Sequence, residues 1–264
     1  MRDRMMIIGL VLVLAGFSAA AEKQNAEHLK SELDVSEQVP PPDDPDAFVI
    51  LYIGDSITRH GFNDDTIKRL GWDHLAGMAA TEESKDYAHL FAAEVQKLHP
   101  DRKAMPYFHN KGGTGAVATR SATLGAYRSL KPDIVVIQLG EHEKQATGPD
   151  ALRVNFDAML KKLQGWPKPP VVLCVGVWSP GGDREHMTYV GWTQQVDTIM
   201  GEVCAERKVP YASMAPHALN PANHGWGTSP GVRWHPNNAG MQAYANELTR
   251  MYKAVITPAD NSKP

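Results

Sequence analysis

Apolar residues along this chain come in short unbroken runs rather than in alternation. Phe48 to Ile53, a weaker one from Ala104 to His109, Ile134 to Leu139 and Val171 to Trp178 are four such runs, and Val209 to Met214 is a fifth, also weaker. A strand covered on both faces has no polar side to alternate with, so runs of this kind predict strands of a parallel sheet. Between them the period changes. Tyr87, Leu90, Phe91, Val95 and Leu98 recur at helix spacing, starting near Ser84 and stopping at His99-Pro100. Leu152, Phe156, Met159, Leu160 and Leu163 do the same up to Gly165, and Met241, Tyr244, Leu248 and Tyr252 share one side of a last helix opened by Pro236. Strands alternating with helices predict an α/β fold, a three-layer α/β/α sandwich around a five-stranded parallel sheet. Ligands of such sheets collect at the carboxyl ends of the strands.

The beginning of the chain follows another pattern. Arg2 and Arg4 precede an apolar run from Met5 to Phe17 and then Ser18-Ala19-Ala20-Ala21, which together read as a secretory signal peptide over residues 1–21. The run is shorter than the roughly 20 residues a spanning helix needs. Residues 22–46 are polar and end in Pro40-Pro41-Pro42-Asp43-Asp44-Pro45-Asp46, predicting a Pro-rich spacer with room for a short helix before it. The folded domain is expected over 47–257, with a tail at 258–264. The chain is therefore expected to be exported, periplasmic or secreted, without a membrane span.

Composition narrows the partners. A formal net charge of −3 leaves no basic footprint for nucleic acid. The histidines form no recognisable ligand set, since Gly140-Glu141-His142-Glu143-Lys144 lacks the two histidines at helical spacing of a zinc protease, so neither metal nor other cofactor is expected. Cys174 and Cys204 read as two buried thiols, or as a bridge in an exported protein.

The candidate chemistry lies at one sheet edge. In "ILYIGDSITRHG", Ile50 to Gly61, Ser56 directly follows the first strand. A serine hydroxyl is a weak nucleophile until a base takes its proton, and the candidate base is His235 in "GVRWHPNNAG", just before the last helix. The stretch "HNKGGTGA", His109 to Ala116, closes the second strand and opens a helix, where Gly115 can present a backbone N–H to a developing oxyanion. "QLGEHE", Gln138 to Glu143, closes the third strand and can supply a side-chain donor.

Gly54-Asp55-Ser56, Asn110-x-Gly112-x-x-Gly115, Gly140-x-His142-Glu143 and His235-Pro236-Asn237 resemble the ordered blocks of the SGNH (GDSL) hydrolase superfamily, over Phe48 to about Val255. Gly71 to Phe91 also resembles a segment of a bacterial subset of it. The resemblance implies a flavodoxin-like fold and a serine esterase mechanism without cofactor. By it, Ser56 is the nucleophile and its N–H one oxyanion donor, Gly115 the second, position 142 the third, and His235 the general base and then general acid. Two departures stand out. His142 occupies the usual place of an asparagine, and Val232 the usual place of the acid, three residues before the histidine. The imidazole is then oriented by a backbone carbonyl or by a carboxylate from elsewhere, Glu141, Glu143 or Asp183. Otherwise Glu141 and Glu143 read as a solvated loop.

The expected substrate is a small-molecule or glycan ester, with O-acetylated carbohydrate favoured because Trp72, Trp178, Trp226 and Trp234 fall at or near the predicted catalytic edge, where Trp faces can stack on sugars. The alternatives are a non-catalytic glycan-binding domain on the same fold, which the missing acid permits, and a lysophospholipase or thioesterase.

Overall fold

A computed structural model describes residues 22–28, 39–110, 115–178 and 191–257. Its centre is a five-stranded parallel sheet of β1 (Phe48–Ile53), β2 (Ala104–His109), β3 (Ile134–Gln138), β4 (Val171–Val175) and β5 (Tyr211–Ala212). The strands lie in the order β2-β1-β3-β4-β5, each pair parallel. The chain steps from β1 to β2 on one side and then crosses to β3 on the other, which puts a topological switch point at the end of β1.

The unbroken apolar runs are explained by two cores. Phe48, Ile50 and Tyr52 point into one, with α2 (Tyr87–Leu98) and α8 (Asn238–Ile256) packed over them, while Val49, Leu51 and Ile53 point into the other, beneath α3 (Val117–Thr123), α4 (Pro149–Gln164) and α5 (Gly191–Glu206). Each buried Leu, Ile or Phe contributes about 1.5–3 kcal/mol. Three short helices, α1 (Asp64–Leu70), α6 (Ala215–Ala218) and α7 (Pro230–Trp234), and the turns between them decorate the carboxyl edge. Cys174 and Cys204 are free thiols buried in the second core.

Several expected boundaries move. β3 ends at Gln138 and β4 at Val175, and β5 has two residues where six were expected. At β4 the reason is visible: the side chain of Asp197 accepts the Val177 N–H at 3.2 Å and Glu141 accepts that of Trp178 at 2.8 Å, so side chains take the donors a longer ladder would have used. At the edge strand β2, Pro106 interrupts the row of donors. The short helix allowed ahead of the Pro-rich stretch is present at residues 22–28, and its Asn25 side chain both donates to Phe62 O and accepts from Phe62 N at 2.8 Å.

The amino ends of β1 and β3 are tied by Asp133, which accepts the Val49 N–H at 2.9 Å and pairs with Arg102 at 2.9 Å and Lys168 at 2.8 Å. The carboxyl ends are left to build the site. Among the described residues no helix is long and apolar enough to cross a membrane.

Candidate active site

Ser56 sits in a tight turn that begins as soon as β1 ends. Asp55 makes the turn: its Oδ1 accepts the Ile57 N–H at 2.9 Å, and its carbonyl accepts from Thr58 and Arg59, each at 3.1 Å. Gly54 is required because a side chain there would collide with Thr58 Oγ1. Asn110, at the end of β2, locks the turn from the side by donating to Asp55 O at 3.0 Å and Arg59 O at 2.5 Å. The Ser56 carbonyl in turn accepts the Met78 N–H at 2.9 Å.

The Ser56 hydroxyl meets His235 Nε2 at 2.7 Å, and both residues are buried. The two are 179 positions apart in sequence, and the sheet topology brings the loop before α8 back over β1. That loop is rigidly held. Asn237 caps α8 by accepting from Ala239 and Gly240 and anchors the loop by donating to Ala222 O and His224 O. The other ring nitrogen, Nδ1, lies 2.6 Å from the carbonyl of Gly231. Helix α7 explains why this carbonyl is available. A continuing helix would have paired it with the His235 N–H, but Pro236 forces His235 into extended backbone, and its N–H turns to Val232 O at 3.2 Å instead.

Two of the three carboxylates considered as acid partners, Glu141 and Glu143, are engaged elsewhere. Glu143 accepts the Val117 N–H at 2.6 Å and so serves the first turn of α3. Glu141 Oε1 accepts from Trp178 N at 2.8 Å. Neither is a solvated loop residue: Glu143 is buried, with its carboxyl pushed up by burial despite the Val117 N–H, and Glu141 buries one oxygen completely. Asp183 lies outside the described residues. Val232, in the place of the expected acid, is packed in the first core.

Gly115 directly precedes Ala116, the N-cap of α3, and among the described residues neither its N–H nor that of Ser56 has a hydrogen-bond partner. Any side chain at position 115 would collide with the guanidinium of Arg120, a buried residue that donates from Nε to Gly54 O at 3.1 Å. Arg120 thus braces the Ser56 turn and the Gly115 turn together. It carries no sequence signal, because one arginine in a short helix ordinarily faces water. His142 is half-buried in the loop that follows β3, with Nε2 3.9 Å from Asp55 Oδ2.

The sequence profile of the GDSL-like lipase/acylhydrolase family matches residues 52–243, which contain Ser56, Gly115, His142 and His235. The chain belongs to this family. As a member of this family it is a carboxylic ester hydrolase. No curated protein matches this esterase. It superposes on an α/β hydrolase from the metagenome of Lake Arreo, Spain, with a TM-score of 0.54 at 19% identity over 77% of this chain and 94% of that one. A two-domain esterase active on acetylated mannans, crystallised with mannopentaose, gives a TM-score of 0.55 at 18% identity, over 83% of this chain and 52% of that one. An acetylxylan esterase from Geobacillus stearothermophilus gives 0.52 at 16% identity, over 77% and 93%. The esterase thus spans about half of the two-domain protein.

The tryptophans divide in two. Trp72 and Trp178 are wholly buried and belong to the packing. Trp226 is 38% exposed, stacks on Trp72 with ring centroids 6.4 Å apart, and donates from Nε1 to Ala79 O at 3.0 Å. Ala79 holds a left-handed φ of 76°, a conformation costly for a residue with a side chain, at a place next to the Met78–Ser56 bond. Trp234 is half-buried with its ring edge-on to the His235 imidazole, at 4.9 Å between centroids.

Proposed function

We propose that this protein is an exported esterase that removes small acyl groups, foremost O-acetyl groups on carbohydrate, through Ser56 as nucleophile and His235 as base. The observation that carries the reading is the chain of contacts from Ser56 Oγ to His235 Nε2 at 2.7 Å and from Nδ1 to Gly231 O at 2.6 Å. A carbonyl only accepts, so it fixes the proton on Nδ1 and leaves Nε2 as the acceptor a base needs.

In the proposed reaction Ser56 Oγ adds to the ester carbonyl carbon while its proton passes to His235 Nε2. The negative charge on the former carbonyl oxygen is met by the N–H groups of Ser56 and Gly115 and by His142. The carbon–oxygen bond to the alcohol then breaks, and His235 gives its proton to the leaving alkoxide. Water repeats the sequence on the acyl-enzyme, with His235 taking one of its protons, and the acid departs as Ser56 recovers its own.

Carbohydrate as the alcohol part is favoured by Trp226, whose exposed ring is tethered through Ala79 beside Met78, the residue bonded to Ser56 O. It fits the acetylated mannans on which the two-domain esterase acts. Export is supported by the basic, apolar and small-residue pattern of residues 1–21. The test begins with a fluorophosphonate and peptide mass spectrometry of the mature protein, followed by acetate release from acetylated mannan and xylan set against esters of rising chain length. An adduct on Ser56 that disappears in His235→Ala is expected, with acetyl esters preferred. Labelling elsewhere, or rates that climb with acyl length, would overturn the dyad or the substrate class respectively.

A further inference from the structure

Asp55 and Glu141 each have one oxygen committed and one left over. Asp55 Oδ1 accepts from Ile57 N at 2.9 Å and Glu141 Oε1 from Trp178 N at 2.8 Å. Asp55 Oδ2 and Glu141 Oε2 are both buried, and neither meets a donor among the described residues. Yet the Glu141 carboxyl, by its charge and by hydrogen bonding, is among the causes that raise the Asp55 carboxyl. Two carboxylates that act on each other in a buried place repel strongly, and two lone acceptors there are each costly. One proton between them removes both penalties.

We propose that Asp55 and Glu141 share a single proton between Oδ2 and Oε2, and that this acid–carboxylate bond positions the turn carrying Ser56. It completes a strap running from the Ile57 N–H through Asp55 and Glu141 to the Trp178 N–H, and so joins the segments that follow β1, β3 and β4. Both are positioning residues, since neither touches the Ser56–His235 contact. Burial first, and the Glu141 charge second, push the Asp55 carboxyl well above the usual range, against the opposing pull of the Ile57 N–H. The other groups facing the pair are His142 at 3.9 Å from Asp55 Oδ2, Tyr87 from α2, Tyr244 from α8, Glu143 beyond Glu141, and Cys174 and Asp197 towards β4 and α5. As pH rises far enough to remove the shared proton, a second charge appears under the turn, the strap opens and turnover falls.

The experiment compares Asp55→Asn, Asp55→Ala and Glu141→Gln with the wild type by infrared spectroscopy and by pH profiles of kcat and KM. An asparagine still accepts from Ile57 and donates to Glu141, but has no proton to lose. Asp55→Asn is expected within about tenfold of wild-type kcat at neutral pH, with its alkaline decline moved upward, whereas Asp55→Ala loses about 100-fold in kcat at little change in KM. The wild type is expected to show the C=O band of a protonated carboxyl at neutral pH, absent from Asp55→Asn and Glu141→Gln. No such band, or an Asp55→Asn variant as impaired as Asp55→Ala with an unmoved alkaline limb, overturns the proposal. The kinetic arm rests on the esterase reading, but the infrared arm needs no substrate. A protein with the band and no ester turnover would sink that reading and leave the shared proton standing.

Discussion

The imidazole of His235 is held from behind by the backbone carbonyl of Gly231, four residues earlier at the edge of the same short helix, at 2.6 Å from Nδ1. A carbonyl sets the tautomer as an aspartate does, but brings no full charge to balance the imidazolium formed in the reaction. Ser56→Ala and His235→Ala are each expected to lower kcat by about 10⁴-fold or more. In the resting protein, nitrogen NMR should find the His235 proton on Nδ1. A proton on Nε2 would contradict the arrangement.

Glu143 separates an orienting acid from a helix cap. Its carboxylate accepts the Val117 N–H, and a glutamine can do the same. Glu143→Gln should therefore stay within about threefold of wild-type kcat, where loss of a true orienting acid costs about 10⁴-fold. Glu143→Ala should cost about 1 kcal/mol of stability in urea unfolding, the ordinary price of a lost cap.

His142 takes the asparagine's place as the proposed third oxyanion donor. Removing such a donor costs about 10²–10³-fold in kcat, which is the expected result for His142→Ala with KM nearly unchanged. His142→Asn, an amide able to donate, should recover most of that loss. Equal rates for all three proteins would remove His142 from the oxyanion site.

Trp226 should act on substrate recognition alone. Its exposed ring touches no group of the dyad chain, so Trp226→Ala is expected to raise KM for acetylated oligosaccharides by about fivefold and leave small aryl acetates unaffected. An equal loss on both substrates would point to packing instead.

Asp133 ties the far end of the sheet, and its pH dependence has a definite sign. Burial pushes its carboxyl up, but Arg102, Lys168 and the Val49 N–H outweigh that and hold it below the usual carboxylate range. Its stabilisation is thus fully present above the ordinary aspartate range and is lost as pH falls through the depressed folded value. Asp133→Asn should cost about 2 kcal/mol at neutral pH, and its melting temperature should converge on that of the wild type as the solution is acidified.

Strands β1, β3 and β4 were legible because a parallel strand buried on both faces writes itself as an unbroken apolar run, β2 only weakly because it is a half-buried edge strand, and α2, α4 and α8 because each keeps one apolar stripe over three turns or more. Helices α1 and α7 are too short for a period to register. β5 was overread because Val209 is apolar for the sake of the second core, not for pairing. In the site, Ser56, Gly115, His142 and His235 were nameable, since each follows a strand or precedes a helix and carries a distinctive side chain or lack of one. The Gly231 carbonyl was not, because every residue has one, and only the break before Pro236 frees it. Arg120 and the Asp55–Glu141 contact were hidden for another reason: burial of a charged residue is decided by neighbours distant in sequence.

The two borders of the sheet have a consequence beyond the site. A strand left open on one side is a template onto which another chain can add, the usual route from folded protein to fibril. Here one border carries Pro106, whose nitrogen has no hydrogen to offer, and the other is the two-residue β5. Among the described strands, neither border gives an incoming strand enough consecutive partners to hold, so the ladder closes at β2 and β5.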